Sequence, residues 1–136
     1  MPPQLYFADT WFLVARFSRF DESHSEAVAI NRRLPQASFV THDGVLAEFL
    51  AFVSGWGAVH RAGAEVSVRE VLRRWIVFPS DRALFLRALD LYGERLDKAY
   101  SLVDCMSMML MKAQGITTIL TNDHHFAQEG FTLLNA

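Results

Sequence analysis

Short, continuously apolar runs alternate along the chain with longer stretches in which apolar residues recur at helical spacing. An apolar run of about four residues is typical of a strand covered on both faces, and a repeat of about 3.6 residues is typical of a helix. The runs at 4–8, 37–41, 75–78 and 118–121 predict four strands, and 131–134 is a candidate fifth strand at the sheet edge. The stretches at 11–17, 22–34, 44–54, 65–74, 82–92 and 102–114 predict six helices. This order predicts an α/β domain with a mainly parallel sheet of four to five strands.

The most informative stretch runs from residue 100 to 126 and combines an apolar helix, a glycine stop, a short strand and an acidic turn. The helix at 102–114 is apolar nearly all round, which predicts that it is buried. Asp104 nevertheless lies in its first turn, where the Ser101-x-x-Asp104 spacing also fits a capping box. Asp123 follows the strand at 118–121 and is therefore expected beyond its carboxyl end, the edge at which parallel α/β sheets bind ligands.

Two further acids are predicted at the same end of the sheet. Asp9 directly follows the first strand, although an N-cap of the next helix is its alternative role. Glu48 lies one turn into the helix after the second strand, between the apolar Val45 and Phe52, although a solvent-exposed glutamate is the alternative. Four carboxylates gathered without a counterion would repel one another, so a divalent cation is expected among them. Oxygen ligands alone favour Mg²⁺ or Mn²⁺.

Composition narrows the class of protein. With 136 residues, 51 % of them hydrophobic and 21 % charged, the chain is expected to be one globular domain. The net charge of −2 argues against nucleic-acid binding by bulk electrostatics alone, but setting four clustered acids aside leaves +2. No apolar run is long enough for a membrane span and no leader pattern opens the chain. The single cysteine, Cys105, excludes an intrachain disulfide and is expected in the core, so a cytoplasmic setting is expected.

Other site chemistries fit the sequence less well. No Cys/His set has zinc spacing, and the adjacent His124 and His125 are expected to be surface residues or phosphate contacts. A phosphoaspartyl phosphatase needs Asp-x-Asp after the first strand, and Trp11 stands at the second position. A receiver domain would carry a lysine after its late strand, and none follows Leu133.

Four motifs carry a family resemblance that extends over essentially the whole chain. They are Phe7-Ala-Asp9-Thr10, Leu46-Ala-Glu48-Phe49, Ser101-Leu-Val-Asp104-Cys and Leu120-Thr-Asn-Asp123-His-His-Phe126. With these motifs the chain resembles PIN-domain ribonucleases, specifically the VapC-type toxins of bacterial and archaeal toxin–antitoxin modules. The last two motifs are the specific part of this resemblance.

The resemblance implies a single PIN domain over residues 1–136, with a three-layer α/β/α fold. It implies that Asp9, Glu48, Asp104 and Asp123 bind Mg²⁺ or Mn²⁺ and hydrolyse single-stranded RNA, and water as nucleophile would leave a 5′-phosphate and a 3′-hydroxyl. Thr121 and Asn122 are candidates for supporting the acids or contacting phosphate. Homodimerisation and a small cognate antitoxin are the implied partners. The alternative is a PIN-fold module that binds RNA or protein without cutting; loss of an acid would indicate it, and all four are present.

Seven large aromatic residues lie on two predicted helices or beside them, more than a small core is expected to absorb. They are Trp11, Phe12, Phe17, Phe20, Phe49, Phe52 and Trp56. Some of them must face the core, and the alternative is that all do. We predict that the others line an exposed groove in which an amphipathic antitoxin helix docks.

Overall fold

A five-stranded sheet with helices on both faces forms the domain, in a computed structural model that describes residues 3–134. The strands are β1 (Tyr6–Ala8), β2 (Phe39–His42), β3 (Ile76–Phe78), β4 (Thr118–Leu120) and β5 (Thr132–Leu133). The helices are α1 (Thr10–Phe17), α2 (His24–Arg33), α3 (Asp43–Val53), α4 (Ala58–Arg74), α5 (Arg82–Glu94), α6 (Leu102–Gln114) and α7 (His125–Gln128), and a single 3-10 turn covers Gln36–Ser38. The predicted three-layer α/β/α fold is confirmed.

All strand pairs are parallel, in the order β3-β2-β1-β4-β5. Phe7 of β1 is in register with Val40 on one side and Ile119 on the other. The chain leaves β1 towards β2 and leaves β4 towards β5, so the direction of the connections reverses between β1 and β4. In open α/β sheets the crevice at such a reversal, outside the carboxyl ends of the strands, is the usual ligand site.

The core explains why these short strands are stable. Phe7, Val40 and Ile119 are fully buried, as expected for strands covered on both faces. Helix α6 contributes six buried residues, including Cys105, and α5 packs along it. The thiol of Cys105 is free, and burial raises its pKa to about 11, so the side chain acts as a small core hydrophobe.

Helix α4 differs most from the prediction, because it begins at Ala58 rather than at residue 65. Its first two turns are mostly exposed and have no apolar stripe, and Ala64 and Val71 are the two residues of the helix that are buried. The first two turns of α4 were therefore not predicted from sequence periodicity. The predicted break before this helix is confirmed, and Gly57 there has a φ of +98°, a conformation that L side chains rarely adopt.

The ends of two helices also differ from the prediction. Helix α3 begins at Asp43 rather than at residue 44, and its N-cap is His42, whose buried ring accepts the Gly44 N–H at 3.0 Å. Helix α5 runs past Gly93 to Glu94. The short α7 was not predicted, since four residues carry no detectable periodicity. The candidate fifth strand is confirmed as β5 at the sheet edge.

The seven aromatics divide between the core and the surface. Phe12 and Phe49 are 0 % and 1 % exposed, so these two are among the aromatics that face the core. Trp11 and Phe17 are half-buried against the core. Phe20, Phe52 and Trp56 are exposed, and the Phe52 and Trp56 rings meet edge to face at 5.8 Å between centroids. None of the helices within residues 3–134 combines the length and apolar character that crossing a bilayer requires.

Candidate metal centre

Asp9 occupies the crevice between β1 and β4. It stands at the N-cap position of α1, but its side chain makes no capping hydrogen bond, and its backbone partner is the adjacent Thr10. Its Oδ2 instead accepts a hydrogen bond of 2.8 Å from Thr121 Oγ1, at the end of β4. Burial raises the pKa of Asp9 to about 7, the bonds from Thr121 and Thr10 oppose this shift, and the charges of Asp104 and Glu48 add to it. The plain capping alternative for Asp9 is therefore not what the geometry shows.

Thr121 connects the two sides of the crevice. Its hydroxyl donates to Asp9 and accepts the Asp123 backbone N–H at 3.1 Å. The side chain is buried, and its bond to Asp9 is shielded from water. The prediction that Thr121 supports the acids fits these contacts, whereas Asn122 is exposed on the same turn.

Glu48 reaches the site from α3. Its side chain is half-buried rather than solvent-exposed, and its Oε1 accepts a hydrogen bond from the Thr10 hydroxyl. Thr10 follows Asp9 directly, and the Glu48 charge raises the pKa of Asp9. The helix after β2 and the helix after β1 are thus joined beside the crevice.

Asp104 satisfies both of its interpretations at once. The capping box is complete, because Ser101 Oγ accepts the Asp104 N–H at 3.0 Å and Asp104 Oδ2 accepts the Ser101 N–H at 2.9 Å. That bond uses one oxygen of the carboxylate and leaves the other for a ligand. Burial raises the pKa of Asp104, and the nearby charge of Asp123 raises it further.

Asp123 lies on the turn after β4 together with a histidine that sequence reasoning had set aside. Its Oδ1 accepts the His125 N–H at 2.9 Å and lies 3.2 Å from His125 Nδ1. Asp104, Asp123 and His125 each place one potential ligand atom within 4.8 Å of the others. The expectation of a surface residue holds for the exposed His124 and not for the half-buried His125. The signal was the Asp-x-His spacing on a tight turn, which returns the second side chain towards the first.

The donor set fits a hard divalent cation. The charges of Glu48 and Asp104 raise the pKa of Asp9 and that of Asp123 raises the pKa of Asp104, so the four predicted acids influence one another, and Asp104, Asp123 and His125 have ligand atoms within 4.8 Å of one another. Within residues 3–134, arginine and lysine form ion pairs with Glu65, Glu70 and Glu129 and with none of these four acids. Clustered carboxylates without a counterion destabilise a fold, so the charge and the oxygen donors of this group are compatible with a divalent cation.

Comparison with known proteins agrees with the geometry. Residues 6–131 match the family described as PIN domain, so the chain belongs to the PIN domain family. The chain is similar to Mycobacterium tuberculosis VapC20, described as a sarcin–ricin loop cleaving toxin, with 23% identity, a TM-score of 0.87 and coverage of 96% of this chain and 99% of that one. No curated protein sequence matches the chain.

Two further solved structures are also similar. FitAcB from Neisseria gonorrhoeae matches with 15% identity and a TM-score of 0.72 over 96% of this chain and 97% of that one. DNA-bound VapBC from Salmonella typhimurium matches with 14% identity and a TM-score of 0.67 over 97% and 98% of the two chains. At these identities the likeness establishes the fold.

Proposed function

We propose that the chain is a metal-dependent endoribonuclease and the toxin of a VapC-type toxin–antitoxin pair. The observation that carries the proposal is the approach of four acids to one end of the sheet: Asp9 and Asp123 follow β1 and β4, and Glu48 and Asp104 lie on α3 and α6. Capping alone does not require such a convergence. The similarity to VapC20, whose description names RNA cleavage, supports RNA as the substrate class.

The four acids would hold Mg²⁺ or Mn²⁺. When bound, the cation would lower the pKa of a nearby water and stabilise negative charge on the phosphate. Asp9 is fixed by Thr121, and Asp104 is fixed by its own capping box, so both carboxylates are oriented before the cation arrives. Glu48 uses Oε1 to accept the Thr10 hydroxyl, and its Oε2 is available to orient the attacking water. Attack by water leaves a 5′-phosphate and a 3′-hydroxyl.

An antitoxin and a second copy of the chain are the proposed partners. The structures with similar folds include FitAcB and DNA-bound VapBC, and their names support a toxin that acts together with an antitoxin. The exposed Phe52 and Trp56 supply apolar surface for a protein partner. Light scattering of the purified chain, alone and with the product of a neighbouring small gene, measures both assemblies.

The test is a cleavage assay on the purified chain. A labelled sarcin–ricin hairpin and an unstructured RNA are incubated with EDTA, Mg²⁺, Mn²⁺ or Ca²⁺, and the product ends are identified by phosphatase and ligase treatment. We expect cleavage with Mg²⁺ or Mn²⁺, none with EDTA, poor turnover with Ca²⁺ because its coordination is longer and looser, and 5′-phosphate ends. RNA binding without cleavage in any metal would favour the non-cleaving module instead, and cleavage in EDTA would contradict the metal mechanism.

A further inference from the structure

We propose that His125 is a nitrogen ligand of the cation and gives the centre a preference for Mn²⁺ over Mg²⁺. The inference rests on the metal site of the proposed function and concerns a residue outside its four acids. It starts from position, since His125 offers a ring nitrogen within 4.8 Å of oxygen atoms of both Asp104 and Asp123.

The spacing fits direct ligation. His125 Nδ1 and Asp123 Oδ1 are 3.2 Å apart. Two neighbouring ligands of an octahedral ion, each bonded at about 2.1 Å, are about 3 Å apart. The pair therefore already has roughly the separation of adjacent positions on one cation, and Asp104 lies on the same side of the turn.

The imidazole is also held in place, unlike that of a surface histidine. Its ring packs edge-on against Tyr100, with centroids 5.3 Å apart. Tyr100 is 5 % exposed, and its hydroxyl donates to Glu129 Oε2 at 2.9 Å. Arg95 binds both oxygens of Glu129, at 3.0 and 3.2 Å. This chain of contacts holds the ring through its carbon edge and face, and of the two ring nitrogens Nδ1 lies beside Asp123.

The ligand type determines which ion benefits. Imidazole nitrogen suits transition metals, whereas Mg²⁺ prefers oxygen and gives up its waters reluctantly. Three or four carboxylates alone accept either ion. Adding one nitrogen ligand to them raises the affinity for Mn²⁺ more than that for Mg²⁺. The reason is that Mn²⁺, a transition-metal ion, accepts nitrogen ligands more readily than Mg²⁺ does.

The inference is tested by metal binding in the absence of RNA. Pulsed EPR of the Mn²⁺-loaded protein detects coupling to a directly bound imidazole nitrogen, and titration gives the two metal affinities. His125→Gln removes the imidazole, His125→Phe keeps a ring against Tyr100, and His124→Gln is the matched control on the exposed neighbour. We expect nitrogen coupling in the wild type and in His124→Gln and none in either His125 variant. The Mn²⁺ affinity should fall about tenfold in both His125 variants, and the Mg²⁺ affinity by clearly less.

Bound Mn²⁺ without nitrogen coupling, or equal losses of affinity for both metals, would overturn the inference, as would absence of Mn²⁺ binding. Circular dichroism of each variant shows that the fold is kept. The cleavage assay is evaluated separately. Nuclease activity without nitrogen coupling would support the proposed function and contradict the role of His125. Nitrogen coupling without cleavage would support the role of His125 as a ligand and contradict the proposed nuclease function.

Discussion

His42 Nε2 lies 3.0 Å from Ser107 Oγ, so one buried hydrogen bond joins the helix that carries Glu48 to the helix that carries Asp104. Nδ1 of the same ring accepts the Gly44 N–H, which places the ring proton on Nε2 and makes Ser107 the acceptor. The Ser107 hydroxyl in turn donates to the Val103 carbonyl at 3.0 Å. A histidine outside the candidate site therefore connects the two helices that carry Glu48 and Asp104.

The cost of replacing His42 should depend on pH. Burial lowers the pKa of His42 from the ordinary value of 6.5, expected in the unfolded chain, to about 4. Between these two pH values the unfolded chain binds the proton and the folded chain does not. The stabilisation is complete above pH 6.5 and is lost as the pH falls towards 4. We expect His42→Gln to destabilise less at pH 5 than at pH 7.5, by about 2 kcal/mol, in urea unfolding of both proteins. An equal cost at the two pH values would contradict a neutral buried histidine.

Asp9 should behave in the opposite sense. Its pKa is raised from 3.8 to about 7, chiefly by burial, so stability is greatest below the unfolded value and falls as the pH rises through 7. We expect Asp9→Asn to stabilise the metal-free protein at pH 8, by about 1–3 kcal/mol, because an amide oxygen still accepts the Thr121 hydroxyl without a buried charge. Thermal unfolding with and without Mg²⁺ checks this.

Adding Mg²⁺ should raise the melting temperature of the wild type and leave that of Asp9→Asn nearly unchanged, since binding to the folded state alone is stabilising. A variant that is less stable than the wild type without metal would show that Asp9 serves the fold rather than the cation.

Asp104 allows capping and metal binding to be separated. We expect Asp104→Asn to keep the fold, because the amide oxygen still accepts the Ser101 N–H, and to abolish Mn²⁺-dependent cleavage, because an amide is a poor ligand for a hard cation. Ser101→Ala should do the reverse: it removes the cap at a cost of about 1 kcal/mol and keeps activity. Circular dichroism, urea unfolding and cleavage are measured on both variants. Full activity in folded Asp104→Asn would mean that its carboxylate is only a cap.

The sequence predicted the order of strands and helices because each strand is a continuous apolar run and α6 is apolar nearly all round. It also predicted that Asp9 and Asp123 lie at one edge, since both directly follow parallel strands. Helix boundaries in polar stretches were missed, as in the first turns of α4. The His42–Ser107 bond was not predictable, because it joins residues 65 positions apart and both side chains are individually unremarkable in the sequence.

The position of His125 was misjudged for a related reason. A pair of histidines on a turn has no pattern that tells which one faces inward. The contact with Tyr100, 25 residues earlier in the chain, determines that His125 is the histidine that faces inward. Sequence reasoning thus found the acids that follow strands and missed the side chains that tertiary contacts orient towards them.

The partner surface can now be tested with residues that the structure shows to be exposed. Phe52 and Trp56 pack edge to face at the α3–α4 corner and are 59% and 37% exposed. We expect Trp56→Ala, alone or with Phe52→Ala, to weaken antitoxin binding at least tenfold while leaving cleavage and stability nearly unchanged, because buried aromatic anchors dominate such interfaces. Phe49→Ala is the matched control from the same helix: its ring is 1% exposed, so truncation should cost about 3–5 kcal/mol and lower binding and cleavage together. Binding is measured by calorimetry on folded preparations. If Trp56→Ala instead loses stability, cleavage and binding in proportion, the corner belongs to the core and the antitoxin binds elsewhere.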